Sequence, residues 1–270
     1  MDKKTIGICG NGYLGKAYQK MFENAYIYDE PLGIGAREEL NKMEMVIIAV
    51  PTDGKEDGSL DMSIIEDIMS WLDTPLILIK SALMPGTVDR LKKQYPNKHI
   101  CVSVEMLGEG KYYIPTWKYP SQTDPTSHNF LIVGGESKDA ELCAGYLWQR
   151  MSPDINIHIV TAVEAEICKL FENTWGAMKV TFANTIYDIC QKYDANYIRV
   201  LQAWGSDGRT EKMHMRVVRG KRGWKSKCFS KDIPALAKVG HNLGVNVELI
   251  DAVISANKVH YAQNNGDNSI

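Results

Sequence analysis

The residues Thr5-Ile6-Gly7-Ile8-Cys9-Gly10-Asn11-Gly12-Tyr13-Leu14-Gly15 decide the fold. Thr5–Cys9 is a short apolar run of strand type, it enters a Gly-x-Gly-x-x-Gly turn, and a helical pattern follows from Lys16 to Phe22. Glycines at this spacing permit a tight turn, close approach of a pyrophosphate to the backbone, and close packing of helix on strand. The helix start then offers its free N–H groups to the phosphates. The next strand pattern, Ala25–Tyr28, ends in Asp29, about 20 residues past the first glycine, where a carboxylate binds a ribose 2′-hydroxyl. Glu30 follows and no arginine is near, which favours NAD over NADP.

Outward from this turn the pattern repeats. Strand-type runs recur at Met45–Val50, Leu76–Lys80, Ile100–Val104, Phe130–Val133 and Asn156–Val160, with helical patterns between most of them at Met62–Leu72, Val88–Tyr95 and Lys138–Met151. Repeated β-α-β order predicts an α/β fold, a Rossmann-type doubly wound parallel sheet, over residues 1–160. Ligands of such sheets sit at the carboxyl ends of the strands. Three polar clusters fall there: Val50-Pro51-Thr52, Lys80 to Thr87 with Ser81 beside the lysine, and Glu105-Met106-Leu107-Gly108-Glu109-Gly110. Taken singly, each also reads as ordinary loop punctuation. Lys111–His128, rich in Tyr, Pro and Thr, reads as a long ordered loop over the cleft, either a substrate wall or a packed flap.

Residues 161–270 read as an all-helical domain built on a long central helix, Thr161 to about Tyr193. Thr161 and Glu164 have capping-box spacing. Ile167, Phe171, Met178, Phe182, Ile186 and Ile189 form an apolar stripe at helical steps. Lys169 and Asn173 stand one turn apart, so the helix presents an ammonium and an amide together, and Gly176-Ala177 let something approach its backbone. Further helical patterns are Tyr197–Trp204, Ile233–Leu243 and Val247–Tyr261. A basic run from Lys212 to Lys227 is either a solvated face or an anion site. It leads into Cys228-Phe229-Ser230-Lys231-Asp232, where Cys228 is either a small buried residue or a thiol made nucleophilic by cationic neighbours.

Composition bounds the function classes. With 44% hydrophobic and 24% charged residues, the 270-residue chain is of ordinary globular type. Its net charge of −2 argues against a nucleic-acid partner. No apolar run is long enough to span a membrane, and the opening MDKKTIGICGNG holds no signal-peptide core. The six cysteines are scattered without a C-x-x-C pair, as in a cytoplasmic protein with reduced thiols, and no metal site is expected.

Together these pieces resemble the UDP-glucose/GDP-mannose dehydrogenase family. The resemblance rests on Gly10–Gly15, Val50-Pro51-Thr52, Gly58 to Asp61, Lys80-Ser81 with Pro85-Gly86-Thr87, and Glu105-x-Leu107-x-Glu109-Gly110. It continues through Ala165-Glu166 with Lys169 and Asn173, Gly205-x-Asp207-x-Arg209, and Cys228-Phe229-x-Lys231-Asp232. The family oxidises the C6 alcohol of a nucleotide sugar to a carboxylate with two NAD, in the service of polysaccharide biosynthesis. The resemblance implies Cys228 as the nucleophile toward the aldehyde, giving a thiohemiacetal and then a thioester. It implies Lys169 and Asn173 around the C6 oxygen, Asp232 positioning or activating water, and Glu105 in the same acid–base network. Cofactor contacts would come from Gly10, Gly12, Tyr13, Leu14, Gly15, Asp29, Val50, Pro51, Thr52, Ser81, Glu109 and Lys231. Substrate contacts would come from Glu105, Leu107, Lys169, Asn173, Lys225 and, across a homodimer, Arg209.

The sequence also departs from the family. The chain stops where a third domain normally starts, as a compact form would. The stretch after Asp29 is short, Ala82 replaces a threonine, and Lys225-Ser226-Lys227 replaces Gly-Gly-Ser before the cysteine. One expectation is that Arg219, Lys221 and Arg222 act as a phosphate clamp. Two other readings compete: a single-step hydroxyacid-type NAD dehydrogenase that uses Lys169 and Asn173 without a cysteine, and a non-catalytic NAD- or nucleotide-binding protein.

Overall fold

Four of the apolar runs become strands buried at every residue: β1 (Ile6–Cys9), β3 (Met45–Ile48), β4 (Leu76–Ile79) and β5 (Ile100–Ser103). Strands covered on both faces have no solvent side to mark with polar residues, so they read as unbroken apolar runs. The structure is a computed structural model that describes residues 5–108 and 124–265. With β2 (Tyr26–Tyr28), β6 (Phe130–Gly134) and β7 (Asn156–Val160), the strands form one sheet in the order β2-β1-β3-β4-β5-β6-β7. Every neighbouring pair is parallel except β5 and β6, which run antiparallel through Val102↔Gly134 and Ser103↔Val133. Hydrophobic patterning carries no strand direction, which is why the sequence predicts the strands and misses this reversal.

Helices α1 (Tyr13–Met21), α3 (Ser63–Trp71), α4 (Thr87–Gln94) and α5 (Ser137–Trp148) link the strands. A short α2 (Arg37–Leu40), too brief to show a period, lies between β2 and β3. One face of the sheet packs Ile8, Ile47 and Leu78 against Tyr18 of α1 and Ala140 and Leu147 of α5. From β1 the chain goes outward to β2 and then back across to β3. The carboxyl ends of β1 and β3 therefore flank the switch point at which such sheets bind ligands.

The long helix forms as expected: α6 runs from Ala162 to Lys192. Its capping box is made, with Thr161 N–H donating to Glu164 at 2.7 Å and Glu164 N–H to Thr161 Oγ1 at 3.4 Å. The chain forms two compact units, Met1–Asp53 with Leu60–Lys169, and Gly54–Ser59 with Leu170–Ile270. The division falls later than residue 160 because the first turns of α6 are bonded into the first unit. There Glu166 accepts from Gly86 N–H at 2.5 Å and Val88 N–H at 2.9 Å.

In the second unit α6 is followed by α7 (Tyr197–Trp204), α8 (Lys227–Asn242) and α9 (Glu248–Ala262). Its own core gathers Ala183, Cys190, Tyr197, Met215 and Val217. Helix α8 starts earlier than its apolar period suggests, because Ser226 caps it by accepting from Phe229 N–H at 3.1 Å. Among the described residues no helix is long and apolar enough to cross a membrane, and no cluster of three or more His, Cys, Asp or Glu could hold a metal.

Candidate active site

The dinucleotide turn has the shape its glycines allow. Gly10 sits at φ 99°, where a Cβ would lie 2.5 Å from Ala49 O, and a Cβ on Gly15 would lie 1.9 Å from Gly10 O. Only glycine fits either place. Gly12 caps α1 with no side-chain bond, and a Cβ there would meet nothing within 4 Å, so the helix N-terminus opens onto space. A pyrophosphate fits such a place: free N–H groups, the positive end of a helix and no side chain in the way. Asp29, at the end of β2, accepts from Asn11 N–H at 2.7 Å and Leu32 N–H at 3.1 Å. This fixes the carboxylate beside the glycine turn and leaves further lone pairs for a ribose.

The sequence reading that no arginine lies near is corrected. Helix α2 brings Arg37 to Glu30 at 2.7 Å and over the Trp71 ring at 4.6 Å. Glu30 and Asp67, the latter 3.7 Å away, balance its charge, so the acidic character that favours a 2′-hydroxyl over a 2′-phosphate persists.

At the ends of β3 and β4, Ser81 Oγ accepts from Val50 N–H at 3.0 Å and donates to Val50 O at 2.7 Å. The hydroxyl thus ties together two of the expected cofactor loops. Thr52 is buried beside them. At the end of β5, Glu105 Oε2 accepts from Tyr18 OH at 2.6 Å and lies 3.2 Å from Lys80 Nζ. Glu105 Oε1 accepts from both Met106 and Leu107 N–H at 2.9 Å. Burial would raise this carboxyl, but the Lys80 ammonium and the Tyr18 hydroxyl outweigh it and hold Glu105 below the usual carboxylate range. Lys169, on α6 in the same unit, is close enough to press the Lys80 pKa down, adding to the lowering by burial.

In the second unit, Asn173 Nδ2 donates to Asp232 Oδ2 at 2.5 Å, and Lys231 Nζ donates to Asp232 Oδ1 at 2.7 Å. Asn173 and Asp232 are both buried. Cys228 and Asp232 stand four residues apart on α8, as Lys169 and Asn173 do on α6, so each pair shares a helix face. Cys228 is half-buried. The small residue Gly176 has the use expected of it: a Cβ there would lie 2.8 Å from the ring of Phe229, next to the cysteine, and 3.3 Å from His214. Cationic and amide donors, a carboxylate and a thiol on neighbouring helix turns can hold an oxyanion, activate water and form a covalent adduct.

Other expected residues lie elsewhere. Arg209 is largely exposed and gripped by Asp207 within its own loop, with Nε at 3.0 Å from both carboxylate oxygens. Lys225 lies over the Tyr261 ring at 5.1 Å. Arg222 does not suit a phosphate clamp: it is buried, donating to Asn184 Oδ1 at 2.5 Å and Asp188 Oδ1 at 2.7 Å. Glu109 and the loop at 111–123 lie outside the described residues. Sequence reasoning missed Lys80 and Tyr18 as site residues. Their signals were a lysine ending a buried apolar strand and a tyrosine on the inner face of α1.

The fold and these two clusters define a class: a Rossmann-type α/β unit joined to a helical unit, with a Lys-x-x-x-Asn motif on the long helix. Residues 163–259 match the model of the UDP-glucose/GDP-mannose dehydrogenase family, central domain. The resemblance read in the sequence holds over that stretch. The UDP-glucose 6-dehydrogenase of Rickettsia prowazekii is 26% identical over 231 residues, covering 82% of this chain and 50% of that protein. The UDP-glucose 6-dehydrogenase of Bacillus subtilis is 28% identical over 232 residues, covering 81% and 49%. The chain thus spans about half the length of the curated relatives it matches. A solved UDP-glucose dehydrogenase from Pyrobaculum islandicum shares the fold at TM-score 0.77 and 21% identity, over 94% of this chain and 68% of that one. A 3-hydroxyisobutyrate dehydrogenase from Mycobacterium tuberculosis shares it at TM-score 0.70 and 13% identity, over 96% and 95%.

Proposed function

We propose that the chain is an NAD-dependent nucleotide-sugar 6-dehydrogenase that takes the C6 alcohol to the carboxylate in two successive oxidations. The observation that carries this reading is the Asn173–Asp232 bond, which joins the Lys169-bearing helix to the helix of Cys228. The family match over residues 163–259 supports it. NAD would be held by the Gly10–Gly15 turn, Asp29 and the Val50–Thr52 and Ser81 loops, and supplies the hydride acceptor. Lys169 and Asn173 stabilise negative charge on the C6 oxygen. The Cys228 sulfur bonds to C6 of the aldehyde, giving a thiohemiacetal whose oxidation leaves a thioester. Asp232 takes a proton from water, the resulting hydroxide adds to the thioester carbon, and the C–S bond breaks to release the carboxylate and the thiol. A homodimer through the exposed face of α6 belongs to the same proposal.

The test is Cys228→Ser with UDP- and GDP-sugars. Uronic acid formation should fall by at least about 1000-fold while NADH binding persists. The second reading, a single two-electron oxidation that relies on Lys169 and Asn173 alone, draws on the likeness spanning nearly all of the 3-hydroxyisobutyrate dehydrogenase chain. Turnover left intact in Cys228→Ser would favour it over the main proposal.

A further inference from the structure

We infer that Asn257, on α9, is a positioning residue for Cys228. The inference rests on the reading of Cys228 as the nucleophile. Residues 222–224 lead into the cysteine, and backbone groups drawn out of water need partners. Asn257 supplies two: its Oδ1 accepts from Trp224 N–H at 2.8 Å, and its Nδ2 donates to Trp224 O at 2.9 Å. Asn264, just past α9, does the same for Arg222, accepting from its N–H at 2.6 Å and donating to its O at 2.9 Å. A carboxamide can do this because it carries an acceptor and a donor side by side. Gly223, between the two clamped residues, stands at φ 67°, and a Cβ there would lie 2.6 Å from Asn257 Oδ1. The chain therefore approaches the amide as closely as only glycine allows. Asn257 itself is 7% exposed. The clamp reaches the cysteine through Trp224. The indole Nε1 donates to Thr181 Oγ1 of α6 at 3.0 Å. The indole ring meets the Phe229 ring edge-on, with centroids 6.2 Å apart, and Phe229 in turn meets His214 at 5.8 Å. Phe229 follows Cys228 directly and lies against α6 at Gly176. His214 holds a left-handed φ of 67°, a backbone state that persists where its surroundings impose it. Asn257, Trp224 and Phe229 thus form a continuous line from α9 to the first turn of α8, where the thiol sits, all within the second unit. Bond formation at sulfur tolerates little displacement: an error of about 1 Å can cost about 100-fold.

The test is alkylation of Cys228 by iodoacetamide in the folded full chain, read by peptide mass spectrometry, with the buried core thiol Cys190 as internal control. Asn257→Ala removes both bonds to Trp224. Cys228 should then react about fivefold faster or more, while Cys190 stays protected. With nucleotide sugar and NAD, kcat should fall by about 30-fold or more and KM should stay within about threefold, because alignment is lost and binding is kept. Asn264→Ala loosens the segment two residues further from the cysteine. It should move both readouts the same way by less, and it carries the test alone if Asn257→Ala does not fold. Unchanged Cys228 labelling in the folded variants would overturn the inference. So would Cys190 opening in step with Cys228, which would make the clamp a part of general stability, and so would faster labelling with kcat unchanged. Should wild type oxidise no nucleotide sugar, the functional proposal fails by itself, and the labelling comparison, which needs no substrate, decides the clamp alone.

Discussion

Glu166 shows how much a single buried side chain can do outside the reacting groups. It lies three residues before Lys169 and binds the backbone at the start of α4, so it fixes the lysine's helix to the loop that follows β4. Burial pushes its carboxyl up to about 7, against the lowering by the Val88 and Gly86 N–H groups. The folded state therefore holds its proton more tightly than the unfolded chain. This favours folding below the ordinary carboxyl pKa, and the advantage is lost as pH rises toward 7. Relative to wild type, Glu166→Gln should gain about 3 kcal/mol of unfolding free energy between pH 4.5 and 7. Denaturant unfolding of both proteins across that range checks this, and a constant difference would contradict it. The sequence displays Glu166 beside Lys169, but its burial and its two backbone donors come from packing, which no local pattern encodes. Arg222 is the converse case: a residue of a basic run that the fold turns inward, against Asn184 and Asp188.

Helix α6 was legible in the sequence down to its capping box, because cap and period are local features. Which face it buries was not. The buried line is Ala165, Leu170, Asn173, Ala177 and Ala183, whereas Ile167, Phe171, Phe182 and Ile189 of the apolar stripe are 44–63% exposed. Apart from Leu170, the buried line is small or polar, and these four large apolar residues of the stripe remain outside. Of these, Phe182 lines, with Trp175 and Met178, an apolar groove of about 350 Å³, with Leu249 and Val253 of α9 on its other side. A run of exposed large apolar side chains fits an interaction surface, and the proposed homodimer would cover it. Phe171→Asp/Phe182→Asp should shift the protein from dimer to monomer in sedimentation velocity at micromolar concentration while leaving its circular dichroism unchanged. An unaltered sedimentation coefficient in the variant would refute the dimer through this face. Helix α8 teaches a related lesson: its start is set by Ser226 accepting from Phe229 N–H, a cap that lies outside the apolar period and places Cys228 in the first turn.

Across the whole molecule, the strands and most of the linking helices follow from apolar runs and glycine turns, and all seven strands stand where the sequence puts them. The β5–β6 reversal and α2, with its Arg37, escaped because strand direction and a four-residue helix leave no periodic trace. Of the candidate site, the residue types were legible from motif order, while their partners were not: Lys80 with Glu105 and Asn173 with Asp232 meet across 25 and 59 residues of chain. Each pairing lies within one unit. The first unit holds the glycine turn and the Lys80–Glu105 pair, and the second holds Cys228 and the Asn173–Asp232 pair. The central claim is that both serve a four-electron oxidation. The most direct test is the ratio of NADH formed to nucleotide sugar consumed, measured to completion with the full chain. The account predicts two NADH per sugar, with uronic acid as the product. A ratio of one, with product stopping after a single oxidation, would contradict it.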